Sequence, residues 1–146
     1  MKVKVLTFHV NVFSYLQHIC MKVKNKILIL DDDRYILDVL NEALTYADFE
    51  VKTALDIDSF YLELDSNKPD LVLIDFLLKG INGGEICHQL KITDVTDSIP
   101  VILMSGYPKV FGSLGTYGCD EFIAKPFDLY TLIDKIQGYM SISAIN

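Results

Sequence analysis

The segment KILILDDD at residues 26–33 decides the fold of this chain of 146 residues. Its four consecutive apolar residues, 27–30, are typical of a strand that is buried on both faces of a parallel sheet. Three aspartates, Asp31 to Asp33, follow where such a strand would end. Ligands bind at the carboxyl ends of the strands in open α/β sheets, so this segment indicates both the architecture and the place of the chemistry.

Downstream of this strand, amphipathic stretches alternate with short apolar runs. The apolar residues of 34–47 fall on one helical face, and Asp33 is a suitable N-cap for that helix. Further strands are predicted at 50–55, 70–75, 100–105 and 119–124, further helices at 59–64, 85–92 and 127–140, and a glycine-bearing loop at 79–84. This repeated alternation predicts an α/β fold in which a five-stranded parallel sheet has helices on both faces.

The composition predicts one folded domain that binds neither nucleic acid nor membranes. Hydrophobic residues make up 51% of the chain and aromatic residues 11%, which suffices for a closed core. The net charge is −7 and no basic block is present, so we expect no direct contact with nucleic acid or lipid. Residues 1–24 contain lysines and no acids, so the acidic excess lies from Asn25 onward, where a negative pocket would attract cations.

The amino-terminal segment differs from the rest of the chain. We divide the sequence into an extension at 1–24, the main domain at 25–141 and a short tail at 142–146, with no output domain visible. Polar residues interrupt the apolar extension and no small-residue cleavage site follows, so neither export nor a membrane span is predicted. Met-Lys-Val-Lys occurs at 1–4 and again at 21–24, either by chance or because Met21 is the natural start.

The cysteines indicate a reducing compartment. Cys20, Cys87 and Cys119 are far apart in the sequence, odd in number, and without metal-ligand spacing. This is typical of reduced thiols in a cytoplasmic protein, which is the localisation we expect. Cys119 stands between Gly118 and Asp120 just before an apolar run, and it is predicted to be a small packing residue.

Chemically versatile side chains follow four of the five predicted strands. In chain order these residues are Asp31, Asp32, Asp75, Ser105 and Lys125. The carboxyl ends of parallel strands share one edge of the sheet, so these side chains should converge there. Crowded carboxylates repel each other, and a bound divalent cation removes that cost. Mg²⁺, or alternatively Mn²⁺, suits such oxygen ligands, while an ammonium and a hydroxyl suit phosphoryl oxygens.

Four segments together resemble the response-regulator receiver family of two-component signalling. They are KILILDDD (26–33), DLVLIDFLLKGINGGE (70–85), PVILMSGY (100–107) and GCDEFIAKPF (118–127). The resemblance implies a flavodoxin-like fold, in which the five-stranded parallel sheet has the order 2-1-3-4-5. It also implies a phosphorelay switch that receives a phosphoryl group from a histidine kinase or phosphotransfer protein and controls a partner or output domain. It implies no enzymatic activity beyond self-catalysed phosphorylation and dephosphorylation. The resemblance does not identify the downstream effector, and it is compatible with a homodimer.

The resemblance also implies a metal site around the phosphoacceptor. Asp75 corresponds to the residue that takes the phosphoryl group and also contacts magnesium. Asp31 and Asp32 correspond to the acidic pair that holds the metal, with Asp32 as the more direct ligand. The backbone carbonyl of Leu77, two residues past the acceptor, corresponds to the remaining protein ligand.

The same resemblance implies a conformational switch. Lys125 corresponds to the lysine that pairs with the phosphoryl group, and Ser105 corresponds to the switch hydroxyl. Phe122 matches the aromatic residue whose rotamer follows activation. Pro126 matches a proline that follows a cis peptide bond in the family. Phosphorylation is then expected to draw Ser105 and Lys125 toward Asp75, and Phe122 to turn inward.

Two features depart from the family, and two further residues tune its chemistry. Lys79 stands where the family usually has proline, so the loop after the acceptor loses stiffness and gains a charge. The glycine-rich stretch between Ser105 and Lys125 is slightly short, which predicts a short or irregular fourth helix. Leu77 and Tyr107 occupy the positions that tune water access in the family, and their bulk predicts a long-lived phosphoryl group.

Three competing interpretations fit the same architecture less well. A flavodoxin-type cofactor binder needs a hydroxyl- and glycine-rich loop after the first strand, where this chain has aspartates. A phosphatase that works through an aspartyl phosphate needs a second acid two residues after the nucleophile, where Leu77 stands. A docking module that is never phosphorylated is the remaining alternative, although no residue of the expected site is missing.

Overall fold

The computed structural model describes residues 23–107, 109, 112 and 117–143, and it describes side chains up to Ser141. The strands are β1 (Lys26–Leu30), β2 (Glu50–Ala54), β3 (Leu71–Asp75), β4 (Leu77–Leu78), β5 (Ile81–Asn82), β6 (Val101–Ser105) and β7 (Glu121–Ala124). The helices are α1 (Arg34–Tyr46), α2 (Ile57–Asn67), α3 (Gly83–Lys91) and α4 (Leu129–Ser143).

Five of these strands form one parallel sheet. Its order is β2-β1-β3-β6-β7, while β4 and β5 pair with each other as a small antiparallel hairpin. With the hairpin set aside, this is the predicted order 2-1-3-4-5, which is confirmed. The register places Leu30 beside Ile74 and Asp75 beside Met104, so the ends of β1, β3 and β6 lie side by side.

The three central strands are buried along nearly their whole length, as their continuous apolar runs predicted. Side chains alternate between the two faces of a strand, so β1 contributes to two separate packing layers. Ile27 and Ile29 pack with α1 and α4, whereas Leu28 and Leu30 pack with α2 and α3. Burying each such side chain stabilises the fold by about 1.5–3 kcal/mol, which holds the strand ends in place.

The first two helices begin where aspartate side chains accept backbone hydrogen bonds. Asp33 caps α1, as predicted, because its carboxylate accepts the Tyr35 amide at 2.9 Å. Asp56 caps α2 in the same way by accepting the Ser59 amide at 2.8 Å. The prediction of a helix at 59–64 was therefore too short, because the cap lets α2 begin at Ile57 and continue to Asn67.

The predicted loop at 79–84 is more regular than expected. Residues 77–82 fold back as the β4–β5 hairpin, with Gly80 at a φ of 75° in its turn. Asn82 then caps α3, which begins at Gly83 rather than at residue 85. Glycine tolerates a positive φ without steric cost, so Gly80 permits the reversal.

The last strand and the last helix both begin two residues later than predicted. The β7 strand begins at Glu121, directly after Asp120, whose carboxylate accepts the Val101 amide at 2.8 Å. The α4 helix begins at Leu129 after Asp128, whose carboxylate accepts the Thr131 amide at 3.0 Å. Phe127, predicted as the first helical residue, instead packs on the core from the loop before α4.

Some predictions fall outside the described residues. These are the structure of the extension up to residue 22 and most of the predicted short fourth helix between residues 108 and 116. The α4 helix continues to Ser143, two residues into the segment assigned to the tail. Among the described residues, no helix is both long and apolar enough to cross a bilayer.

Candidate functional site

Three aspartates meet at the carboxyl edge of the sheet. Asp31 and Asp32 follow β1 and Asp75 ends β3, and each offers a carboxylate oxygen within 4.8 Å of the other two. Asp31 is 1% exposed and Asp75 is 7% exposed, whereas Asp32 is half-buried. The Asp33 amide donates to Asp31 Oδ1 at 2.9 Å and so orients that carboxylate. The sequence predicted this cluster, and the pairing of β1 with β3 brings it together.

Lys125 supplies the positive charge of the cluster. Its Nζ lies 2.8 Å from Asp31 Oδ2 and 2.9 Å from Asp75 Oδ1, so one ammonium bridges two buried carboxylates. The Lys125 amide donates to the Ser105 carbonyl at 2.7 Å, which fixes the backbone beyond β7. The peptide bond between Lys125 and Pro126 is cis. With three carboxylates and one ammonium, the cluster keeps an excess of negative charge that favours a cation.

The surroundings alter the proton affinity of both bridging groups. Burial raises the pKa of Asp75 above its usual value, and the charges of Asp31 and Asp32 add to this, while Lys125 opposes it. Burial alone would lower the pKa of Lys125, but its hydrogen bonds and charge interactions with Asp31 and Asp75 outweigh burial and raise it. The ammonium therefore stays charged at neutral pH, and it is the group that makes an ionised Asp75 tolerable.

The predicted switch residues lie on β6 and β7. Ser105 ends β6, is buried, and its Oγ accepts the Tyr107 amide at 3.0 Å. Phe122 lies on β7 opposite Leu103, half-buried against the packing layer that contains α2 and α3. Leu77, whose carbonyl was assigned to the metal, lies in β4 and exposes 61% of its surface.

The start of α3 contains residues that the sequence analysis did not identify as part of the site. The Gly83 amide donates to the Phe76 carbonyl at 2.8 Å, and a Cβ on Gly83 would lie 2.1 Å from the Asp75 backbone oxygen. Gly83 thus allows α3 to begin directly against the phosphoacceptor candidate. The sequence did contain a signal for this helix start. Asn82 is followed three residues later by Glu85, which is a capping pattern.

Tyr117 is a second residue that the sequence analysis missed. Its hydroxyl accepts a hydrogen bond of 3.1 Å from Asn82, and its ring lies 6.1 Å from the Phe76 ring. A Cβ on Gly84 would come within 2.5 Å of the Tyr117 ring. The contact spans 35 residues of sequence and has no local signal, because only the folded chain brings the two segments together.

Comparison with known proteins agrees with this geometry. The family model for the response regulator receiver domain matches residues 27–137. The chain belongs to the response regulator receiver family. The matched range includes every site residue named above.

Individual relatives of this receiver domain support the assignment. The response regulator ArlR of Staphylococcus saprophyticus is 34% identical over 116 residues, which cover 79% of this chain and 52% of that protein. A CheY-like receiver domain protein from Methanospirillum hungatei superposes with a TM-score of 0.71 at 26% identity, over 81% of this chain and 94% of that one. Chemotaxis response regulator CheY4 of Vibrio cholerae shares the fold, with a TM-score of 0.71 at 21% identity over 80% of this chain and 98% of that one.

This receiver domain spans about half the length of the curated relatives that it matches. The family assignment therefore describes the domain.

Proposed function

We propose that this receiver domain takes a phosphoryl group onto Asp75 from a histidine kinase or a phosphotransfer protein and then changes conformation to control a partner or output domain. The observation that carries the proposal is the placement of the Asp75 carboxylate. It lies 2.9 Å from the Lys125 ammonium and within metal-sharing distance of Asp31 and Asp32. A phosphoryl acceptor needs such a setting, because the incoming group adds negative charge to a carboxylate.

The donor set of the cluster suits magnesium. Asp31, Asp32 and Asp75 offer hard oxygen ligands at mutual distances that one ion can span, and the Leu77 carbonyl is the fourth proposed protein ligand. Mg²⁺ prefers a few carboxylates together with water and phosphate oxygens, and Mn²⁺ accepts similar ligands. When bound, the ion neutralises charge on the transferring phosphoryl group and offsets the repulsion between the carboxylates.

Each residue of the site has a separate role in the proposed phosphoryl transfer. An oxygen of Asp75 forms the new bond to phosphorus as the bond to the donor nitrogen of phosphohistidine breaks. The Lys125 ammonium moves from Asp75 to a phosphoryl oxygen, and the Ser105 hydroxyl donates to another. Both movements pull on β6 and β7, and Phe122 turns inward as the switch. No other reaction is proposed beyond self-catalysed phosphorylation and dephosphorylation.

Incubation with acetyl phosphate and MgCl₂ should add one phosphoryl group to the wild-type chain, and Asp75→Asn should abolish the gain. The reason is that asparagine offers no nucleophilic carboxylate. Intact-mass spectrometry measures the gain, and its loss on hydroxylamine treatment identifies an acyl phosphate. Asp94→Asn is the matched control, because Asp94 is exposed and remote from the cluster.

A mass gain that survives in Asp75→Asn would refute the acceptor assignment. No gain in any chain, with Mg²⁺ or with Mn²⁺, would favour the docking module that is never phosphorylated.

The phosphoryl group on Asp75 should persist for minutes or longer at neutral pH. Leu77 and Tyr107 are bulky residues that follow Asp75 and Ser105 by two positions, and as the family's water-access positions they should hinder the attacking water. Leu77→Ala keeps the backbone carbonyl and should shorten the lifetime severalfold. Decay of radiolabelled protein measures both rates, and complete loss within seconds in the wild-type chain would contradict the expectation.

A further inference from the structure

A short segment before β7 lies along α3 and is fixed to it at both ends. We call residues 117–120 the strap. At one end the Tyr117 ring packs on Gly84 in the first turn of α3. At the other end Asp120 Oδ2 lies 2.6 Å from Lys91 Nζ in the last turn. The strap therefore follows one face of the helix.

Lys91 makes the second attachment firm. Besides the ion pair with Asp120, its Nζ donates to the Ile99 carbonyl at 2.7 Å and to the Asp97 carbonyl at 3.1 Å. The Asp120 carboxylate in turn accepts the Val101 amide at 2.8 Å. Both partners of the ion pair are thus held by further hydrogen bonds. These bonds fix the position of the strap at the last turn of α3.

This arrangement places two cysteines against each other. Cys87 lies one helical turn before Lys91, on the face of α3 that the strap covers, and it is fully buried. Cys119 lies within the strap and packs half-buried on the same apolar layer as Cys87.

The two thiols interact directly and differ in character. Their contact, together with burial, raises the pKa of Cys87, while the same contact lowers the pKa of Cys119. Cys119 is thus the accessible sulfur with more thiolate, and Cys87 is the buried sulfur that keeps its proton.

We propose that Cys119 and Cys87 are a modification site, a dithiol that a hydroperoxide converts into an intramolecular disulfide. With hydrogen peroxide, the Cys119 thiolate attacks one peroxide oxygen, the O–O bond breaks, and the hydroxide that leaves becomes water by taking up the proton that the Cys119 thiol released. Cys87 sulfur then attacks the Cys119 sulfenic acid, and the displaced hydroxide accepts the Cys87 proton as a second water. Each sulfur gives up one electron, and the peroxide takes up both.

The proposal is independent of phosphorylation, although the disulfide would affect the same region. It would join α3, which begins at Gly83 against Asp75, to the segment that leads into β7 and Lys125. Two elements that flank the acidic cluster would then move as one.

Treatment of the full chain bearing Cys20→Ser with a small excess of hydrogen peroxide tests the proposal. We expect the mass to fall by two hydrogens, both thiols to resist alkylation after denaturation, and digestion to yield one peptide pair linked through Cys87 and Cys119. Dithiothreitol should reverse all three changes. The wild-type chain treated in parallel should give the same linked pair.

Single substitutions assign the order of events. In Cys87→Ala, Cys119 should accumulate as a sulfenic acid that dimedone traps, because no second thiol resolves it. In Cys119→Ala, peroxide should oxidise the buried Cys87 at least tenfold more slowly than in the Cys20→Ser chain. The rate is measured as the loss of thiol that can be alkylated after denaturation. The proposal is overturned if peroxide adds oxygen to Cys119 while Cys87 stays alkylatable in the Cys20→Ser chain, or if both thiols remain reduced.

Discussion

Replacement of Lys125 by methionine should slow phosphorylation of Asp75 by acetyl phosphate about 100-fold or more while tightening Mg²⁺ binding about tenfold. The two effects have opposite signs because the ammonium has two electrostatic roles. It neutralises a phosphoryl oxygen during transfer, and loss of one such group costs about 10²–10³ in rate. The ammonium also lies 2.8 Å from the Asp31 carboxylate and 2.9 Å from the Asp75 carboxylate. It therefore repels a divalent cation that binds to these two carboxylates. Two unit charges about 4 Å apart near a protein surface interact by about 1–4 kcal/mol, which is enough for the expected change in affinity.

The two effects are measured separately in the same protein. Isothermal titration calorimetry with MgCl₂ gives the metal affinity, and the time course of mass gain at saturating Mg²⁺ gives the rate. Methionine keeps the apolar stem of lysine, so packing around Pro126 is preserved. Lys135→Met is the matched control, since Lys135 pairs with Glu121 at 3.0 Å and does not contact the acidic cluster. Weaker metal binding in Lys125→Met, or an unchanged rate, would contradict this account of the site.

Gly83→Ala should destabilise the protein by about 2–3 kcal/mol. The added Cβ would lie 2.1 Å from the Asp75 backbone oxygen and 2.9 Å from Ile74 Cγ2. A backbone oxygen cannot rotate away as a side chain can, so either β3 or the start of α3 must move. Alanine is a better helix former than glycine by about 0.5–1 kcal/mol, which is too little to offset the clash. The phosphorylation rate should fall as well, because Asp75 is the residue displaced.

Urea unfolding followed by circular dichroism measures the difference, and Gly138→Ala supplies the control. Gly138 is exposed in α4, and a Cβ there meets no atom within 4 Å. The same substitution at Gly138 should therefore stabilise the protein by about 0.5–1 kcal/mol. Equal effects at Gly83 and Gly138 would show that the close approach to Asp75 is not rigid.

The parts of the fold that local patterns specify were predicted well. The apolar runs at 27–30, 70–75 and 100–105 correspond to buried central strands, since only a strand covered on both faces tolerates such continuous hydrophobicity. Asp33 was recognised as a helix cap because capping depends on neighbouring residues alone. The acidic cluster was predicted for a related reason, since parallel strands carry their carboxyl ends to one edge.

Boundaries were predicted less well where distant contacts decide them. Residue 119 was predicted to lie in the last strand, yet β7 begins at Glu121, and the Asp120 side chain before it binds Lys91 and the Val101 amide. The predicted loop at 79–84 became a hairpin and the first residues of α3, which stack against β3 and Tyr117. Such contacts join residues far apart in the chain, and a local pattern carries no information about them.

The amino-acid sequence by itself determined the alternation of strands and helices and the presence of Asp31, Asp32, Asp75, Ser105 and Lys125 at strand ends, because these follow from hydrophobic periodicity and chain direction. Only the tertiary structure decided that Lys125 bridges Asp31 and Asp75, that Gly83 must lack a side chain, and that Cys119 meets Cys87. The physical reason is that each of these depends on side chains from separate elements approaching within a few ångströms, and packing of the whole domain sets that distance.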